Sequence, residues 1–155
     1  MRRKSMYQNI DLQIPNLPVL GPTSFGKIIQ YIYKSIVDEA TAAEFYGALL
    51  RQAPDALHME FIQHARQDEL DHLQAFIKLY RHYTGKMPQY APNPVQYPSY
   101  KAGILQALKS ELEAAEFYRD VQLSTTDQLI RDTFYFAMVD ELEHATQFST
   151  LYHTL

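Results

Sequence analysis

The chain contains no cysteine and no tryptophan, and glycine occurs only five times in 155 residues. Without thiols there are no disulfides, no zinc–thiolate sites and no iron held by cysteines, and the composition fits a reducing cytoplasm. Any metal must be held through nitrogen and oxygen. Long apolar runs are also missing, for no segment reaches the roughly 20 residues that cross a bilayer. The opening after Arg2-Arg3-Lys4 is broken by polar residues and prolines where a signal peptide needs continuous apolar character. Excess positive charge is absent too: the formal net charge is −4 and the remaining Lys and Arg are scattered, so there is no basic field for a nucleic-acid backbone. The expectation is a cytoplasmic protein with neither nucleic acid nor membrane as partner.

What is present is ordinary globular composition, 46% hydrophobic and 21% charged, in a length that suits one domain with a sizeable core. Proline marks a leader through Pro22 and a Pro- and Tyr-rich stretch from Gly85 to Pro98. Shorter breaks fall at Ala53-Pro54-Asp55 and Ser124-Thr125-Thr126-Asp127. Residues 1–23 therefore read as a leader and 24–155 as one helical domain. Its first helix runs from about Ser24, a plausible N-cap, to Gln52, with Phe25, Ile29, Ile32, Ile36, Ala43, Tyr46 and Leu50 on one stripe. The second, from about Asp55 to Thr84, carries Leu57, Phe61, Ala65, Phe76, Leu79 and Tyr83, and Gly85 stops it. The third spans about Tyr100 to Gln122 and the fourth starts near Asp127, with Ile104, Leu108, Ala115, Tyr118 and Ile130, Phe134, Ala137, Phe148, Leu151 as their stripes.

The two helical hairpins are copies. An offset of 72 residues lays Ala42-Ala43-Glu44-Phe45-Tyr46 on Ala114-Ala115-Glu116-Phe117-Tyr118 without a gap. It also lays Asp68-Glu69-Leu70 on Asp140-Glu141-Leu142 and His72 on His144. Such a repeat implies an all-α four-helix bundle with a pseudo-twofold axis. With that axis perpendicular to the bundle, helices two and three run parallel and their link must travel the bundle's length. A helix of about 28 residues is roughly 42 Å long, and about 15 extended residues span roughly 50 Å. The Pro-rich connector is long enough for this crossover.

The stripes hold residues that an inert bundle would avoid: Glu39, Glu69, His72, Glu111, Glu141 and His144. Four inward carboxylates cost several kcal/mol each unless compensated, so the core must contain positive charge. Two divalent metal ions would balance them, and Glu69/His72 and Glu141/His144 at i,i+3 place an oxygen and a nitrogen donor on one face. Glu39 and Glu69 are equidistant from Pro54, as are Glu111 and Glu141 from Thr126, so all six can meet in one layer. Glu44 and Glu116 compete for the ligand role, although Glu44 sits about 140° around the helix from Glu39. Glu113 lacks an acidic repeat-mate and reads as a surface residue. Asp68 and Asp140 are either acceptors for the opposite hairpin's His or surface acids. His58, His64, His82 and His153 have no repeat-mates and read as structural or solvated.

Through EATAAEFY and ELEAAEFY paired with ELDH and ELEH, the sequence resembles the ferritin-like superfamily, and most closely rubrerythrin-like proteins. The resemblance spans all four helices. It implies a ferritin-like bundle in which Glu39, Glu69, His72, Glu111, Glu141 and His144 are the metal ligands, with Glu69 and Glu141 as bridges. It also places Tyr46 and Tyr118, seven residues after Glu39 and Glu111, beside the metals as candidate catalytic residues. The alternative for each is a core aromatic. Where rubrerythrin resemblance would supply an extra Glu one turn after the third-helix ligand, the chain has Ala114, and its repeat-mate is Ala42. A symmetric six-ligand site with little redox-linked metal movement is expected.

The oxygen-rich donor set with two imidazoles suits iron or manganese and does not rule out zinc; the resemblance favours two iron ions. It implies a non-haem di-iron oxidoreductase reducing peroxide or dioxygen in oxidative-stress defence, as a homodimer re-reduced by an external electron donor. The alternative is an iron-binding and storage protein with a ferroxidase-type site. The chain ends eleven residues after His144, without the fifth helix of larger ferritin cages, which counts against storage.

Overall fold

A computed structural model describes residues 23–155, so the proposed leader, Thr23 apart, lies outside the described residues. Among these residues the chain forms four helices and no strand: α1 (Phe25–Leu50), α2 (Ala56–Thr84), α3 (Tyr100–Leu123) and α4 (Gln128–His153). Each begins at a side chain that satisfies a free backbone N–H of the first turn. Ser24 accepts from the Lys27 amide at 3.4 Å, Asp55 from His58 at 3.0 Å, Ser99 from Ala102 at 3.2 Å and Asp127 from Ile130 at 3.1 Å. The repeat-mates Asp55 and Asp127 are thus caps rather than first helical residues. Gly85 closes α2 at φ 68°, a left-handed conformation that costs glycine little.

α1 packs extensively on α2, and α3 on α4; α2 lies close against α4, while α1 and α3 touch most sparingly. α2 and α3 are diagonal. One apolar cluster joins the N-terminal half of α1 and the C-terminal half of α2 to the C-terminal half of α3 and the N-terminal half of α4, through Ile32, Phe76, Tyr118 and Phe134. A second joins the opposite halves through Leu49, Ile62, Ile104 and Phe148. Helices two and three are therefore parallel, and the crossover expected from the repeat is the observed topology.

The connector runs along α1. Tyr33 donates its hydroxyl to the Gln89 carbonyl (2.8 Å), the Asn93 amide donates to Thr41 Oγ1 (2.9 Å), and Gln52 donates to the Tyr97 hydroxyl (2.6 Å), ties that climb α1 in chain order. Two stripe residues depart from expectation. Phe25 and Leu57, both in first turns, are 57% and 39% exposed. Ile28 takes the buried place at the start of α1. Among the described residues no helix is long and apolar enough to cross a membrane.

Candidate metal centre

Between the two apolar clusters lies a polar layer. Glu39 of α1, Glu69 and His72 of α2, Glu111 of α3, and Glu141 and His144 of α4 are all at most 2% exposed. Helical spacing places them there: each glutamate has apolar neighbours one turn away, and each histidine stands one turn after a glutamate of the layer and one turn before Phe76 or Phe148. The structure brings all six predicted ligands together. His72 Nδ1 lies 3.6 Å from Glu39, 3.6 Å from Glu69 and 3.5 Å from Glu141. His144 Nδ1 lies 3.1 Å from Glu69, 3.3 Å from Glu141 and 3.7 Å from Glu111. Two overlapping donor sets result, Glu39/Glu69/His72/Glu141 and Glu69/Glu111/Glu141/His144, each with its donor atoms within 4.8 Å of one another. Glu69 and Glu141 belong to both.

The surroundings fix these side chains. His72 Nε2 meets Asp140 at 3.0 Å and His144 Nε2 meets Asp68 at 3.0 Å, each across hairpins, so each Nδ1 is turned into the layer. Of the two readings of Asp68 and Asp140, the contact with the opposite hairpin's imidazole is the one found. The buried hydroxyl of Tyr46 donates to Glu111 and that of Tyr118 to Glu39, so each α1 or α3 carboxylate is held by the tyrosine of the other helix. Glu44, Glu113 and Glu116 are exposed and outside both donor sets.

Electrostatics shows what the layer lacks. Burial raises Glu39 and Glu111 well above the usual carboxylate range, and the charges of Glu69 and Glu141 add to the rise. For Glu69, burial opposes ionisation, yet the facing side chains of Glu39, His144 and His72 hold it below its ordinary value. Burial disfavours charge on His72 and His144, but the facing carboxylates overcome it and raise both far above the imidazole range. Burial, with Glu111 and Glu39 respectively, also pushes Tyr46 and Tyr118 up, which keeps them as neutral O–H donors. In the metal-free layer, protons on Glu39, Glu111, His72 and His144 offset the buried charge, and bound cations would take their place.

Metal ions fit the residues present. Glu69 Oε1, His72 Nδ1, Glu141 Oε2 and His144 Nδ1 are cut off from solvent and have no hydrogen-bond partner. One such atom costs about 1–3 kcal/mol, so several turned toward a common centre are explained by ions between them. The layer is not sealed on every side. Where α1 and α3 part, a cavity of about 230 Å³ reaches Glu39, Glu69, Glu111 and Glu141 but neither histidine.

Over residues 30–152 the chain matches the family model described as Rubrerythrin. The chain belongs to the rubrerythrin family. It is 30% identical over 123 residues to a Bacillus subtilis (strain 168) protein described as uncharacterized protein YhjR, covering 78% of this chain and 83% of that one. Its fold is similar to the crystal structure of a conserved hypothetical protein, Rv2844, from Mycobacterium tuberculosis, with a TM-score of 0.72 and 15% identity over 85% of this chain and 95% of that chain. It is also similar to a two-domain protein from Anabaena variabilis containing DJ-1/ThiJ/PfpI-like and ferritin-like domains. There the TM-score is 0.70 at 15% identity, over 86% of this chain and only 38% of that chain. The family match and the common architecture make this a ferritin-like four-helix bundle.

Sequence reasoning missed two features. His64, whose sequence context reads as structural or solvated, lies 3.2 Å from Asp68 and edge-on to His144, with ring centroids 5.8 Å apart. At the equivalent position of the second hairpin stands Phe136, not a histidine, and it meets His72 in the same way at 5.2 Å; aligning the two hairpins beyond their identical positions would have shown the equivalence. The cavity was the other, and only the spacing of α1 from α3 reveals it.

Proposed function

We propose that this chain is a non-haem di-iron oxidoreductase that reduces peroxide or dioxygen, with Glu39, Glu69, His72, Glu111, Glu141 and His144 as ligands and Glu69 and Glu141 shared between the two ions. The observation that carries the reading is the single buried layer in which two donor sets overlap at two carboxylates and open onto a cavity. Manganese suits the same donors, and zinc would occupy them without redox chemistry. When bound, a reduced iron pair supplies two electrons and Lewis acidity.

The chain's own residues do the rest. Asp140 and Asp68 accept the Nε2 protons of His72 and His144 and so present both Nδ1 lone pairs inward. Tyr118 and Tyr46 keep their protons on the phenol oxygens and pin one oxygen of Glu39 and of Glu111. The α1–α3 cavity admits the oxidant, while on the α2–α4 side both histidines are fully buried and backed by their aspartates. With no cysteine in the chain, re-reduction needs an external donor, and the setting that fits is the cytoplasm.

Stopped-flow mixing of anaerobic, iron(II)-loaded protein with H₂O₂ and, separately, O₂ tests the proposal. About one peroxide per site should be consumed before the reaction halts and awaits a donor. Failure of both oxidants to oxidise the site within minutes would overturn the enzyme reading. The acidic side chains Asp38 and Glu113 at the cavity lining favour a second reading, entry of Fe²⁺ for oxidation and storage. A large hollow particle that mineralises iron far beyond the site's capacity would decide for it.

A further inference from the structure

The cavity between α1 and α3 is larger than the oxidants considered so far require. Hydrogen peroxide needs little more than the roughly 30 Å³ that a water molecule occupies in the liquid, and bare divalent ions need less. The cavity measures about 230 Å³. The repeat-mates Ala42 and Ala114 on the two facing helices are the smallest side chains in its lining and leave it room. Phe45 and Phe117, also repeat-mates, and Val95 of the connector give it apolar walls. The floor is polar and is the proposed metal layer.

The rim carries Lys34, Asp38 and Glu113. Lys34 is paired with Asp38 and lies 4.5 Å above the Phe117 ring, so its charge is already engaged and its stem extends the apolar wall. With two acids against one occupied cation, the rim does not attract an anion. A neutral molecule with a compact apolar body and a polar head directed at the floor fits this arrangement.

We propose that the α1–α3 cavity is a substrate chamber for small, neutral organic hydroperoxides, which Ala42 and Ala114 admit to the carboxylate layer. The inference rests on the di-iron reading above. The O–O bond of R–O–OH breaks and the products are the alcohol R–OH and water. Two electrons come from the reduced iron pair, one from each ion, and two protons come from solvent. An external one-electron donor then restores both irons.

The test has an activity arm and a binding arm. In the first, anaerobic iron(II)-loaded protein is mixed with H₂O₂, tert-butyl hydroperoxide or cumene hydroperoxide, and the alcohol formed is quantified. The parent should yield about one alcohol per site. Ala42→Phe and Ala114→Phe should lower the ratio of organic hydroperoxide to H₂O₂ rate constants by about tenfold or more, the discrimination that pocket filling gives. Ala114→Val, a smaller change into the same open space, should lower it less, and it serves if the Phe variants do not fold. In the second arm, NMR titration of redox-inert zinc-loaded protein with 2-phenylpropan-2-ol should show saturable binding that Ala114→Val weakens. If H₂O₂ oxidises the site but the organic hydroperoxides do not, the chamber proposal falls and the di-iron reading stands. If neither H₂O₂ nor any organic hydroperoxide reacts, this activity falls, and if O₂ fails as well the di-iron reading falls with it. Absence of alcohol binding to the zinc protein overturns the chamber by itself.

Discussion

Asp68 and Asp140 show how much a single side chain outside the ligand set can govern. Each accepts from the histidine of the opposite hairpin, so Asp68→Ala should loosen the donor set containing His144, and Asp140→Ala the one containing His72. Loss of such a partner lowers metal affinity by about 10- to 100-fold, which competition with a chelator measures. The raised groups predict a pH dependence. Protons on Glu39 and Glu111 stabilise the metal-free fold below the ordinary Glu value of 4.5, and that contribution is lost as pH climbs. His72 and His144 contribute fully below 6.5 and progressively less above it. Glu69, held low, acts oppositely: its contribution is present above 4.5 and is lost as pH falls into acid. Metal binding must displace these protons, so it strengthens with pH by about 1.4 kcal/mol per unit for each proton released. The gap in melting temperature between metal-loaded and metal-free protein should therefore widen from about pH 6 to about pH 8.

At the scale of the helix, the three- and four-residue stripes were legible because burial and periodicity coincide wherever a helix is covered along its length. They misled at Phe25 and Leu57, in the first turns of α1 and α2, which stay exposed although Phe25 meets Tyr83 edge-on. The crossover could be read from connector length and the repeat, since parallel helices require it. Its close packing could not. Gly103, in the first turn of α3, is approached by connector and α1 alike: a Cβ there would stand 2.7 Å from Leu49 Cδ2 and 2.9 Å from Tyr97 Cδ2. Gly103→Ala should cost about 1–3 kcal/mol through overpacking, despite the better helix propensity of alanine. Chemical denaturation would show a lower midpoint, and an unchanged one would mean that the connector yields freely at Tyr97.

For the whole molecule, the pseudo-twofold arrangement makes one metal layer from two hairpins, neither of which has a complete donor set. The six residues could be read from the sequence because apolar stripes interrupted by Glu and His at matching heights leave few arrangements. The cavity could not, because it depends on how far α1 stands from α3, a distance that no single helix encodes. Aspartate contacts across hairpins lay between these cases, suggested by spacing and decided by packing. The central claim is that Glu69 and Glu141 are shared by two ions in that layer. Its most direct measurement is the metal content of protein purified without added metal, beside the Glu69→Ala/Glu141→Ala double variant. The account predicts two ions per parent chain, one for each donor set, and their loss from the variant. A parent that holds no metal, or a variant that keeps its full complement, would contradict it.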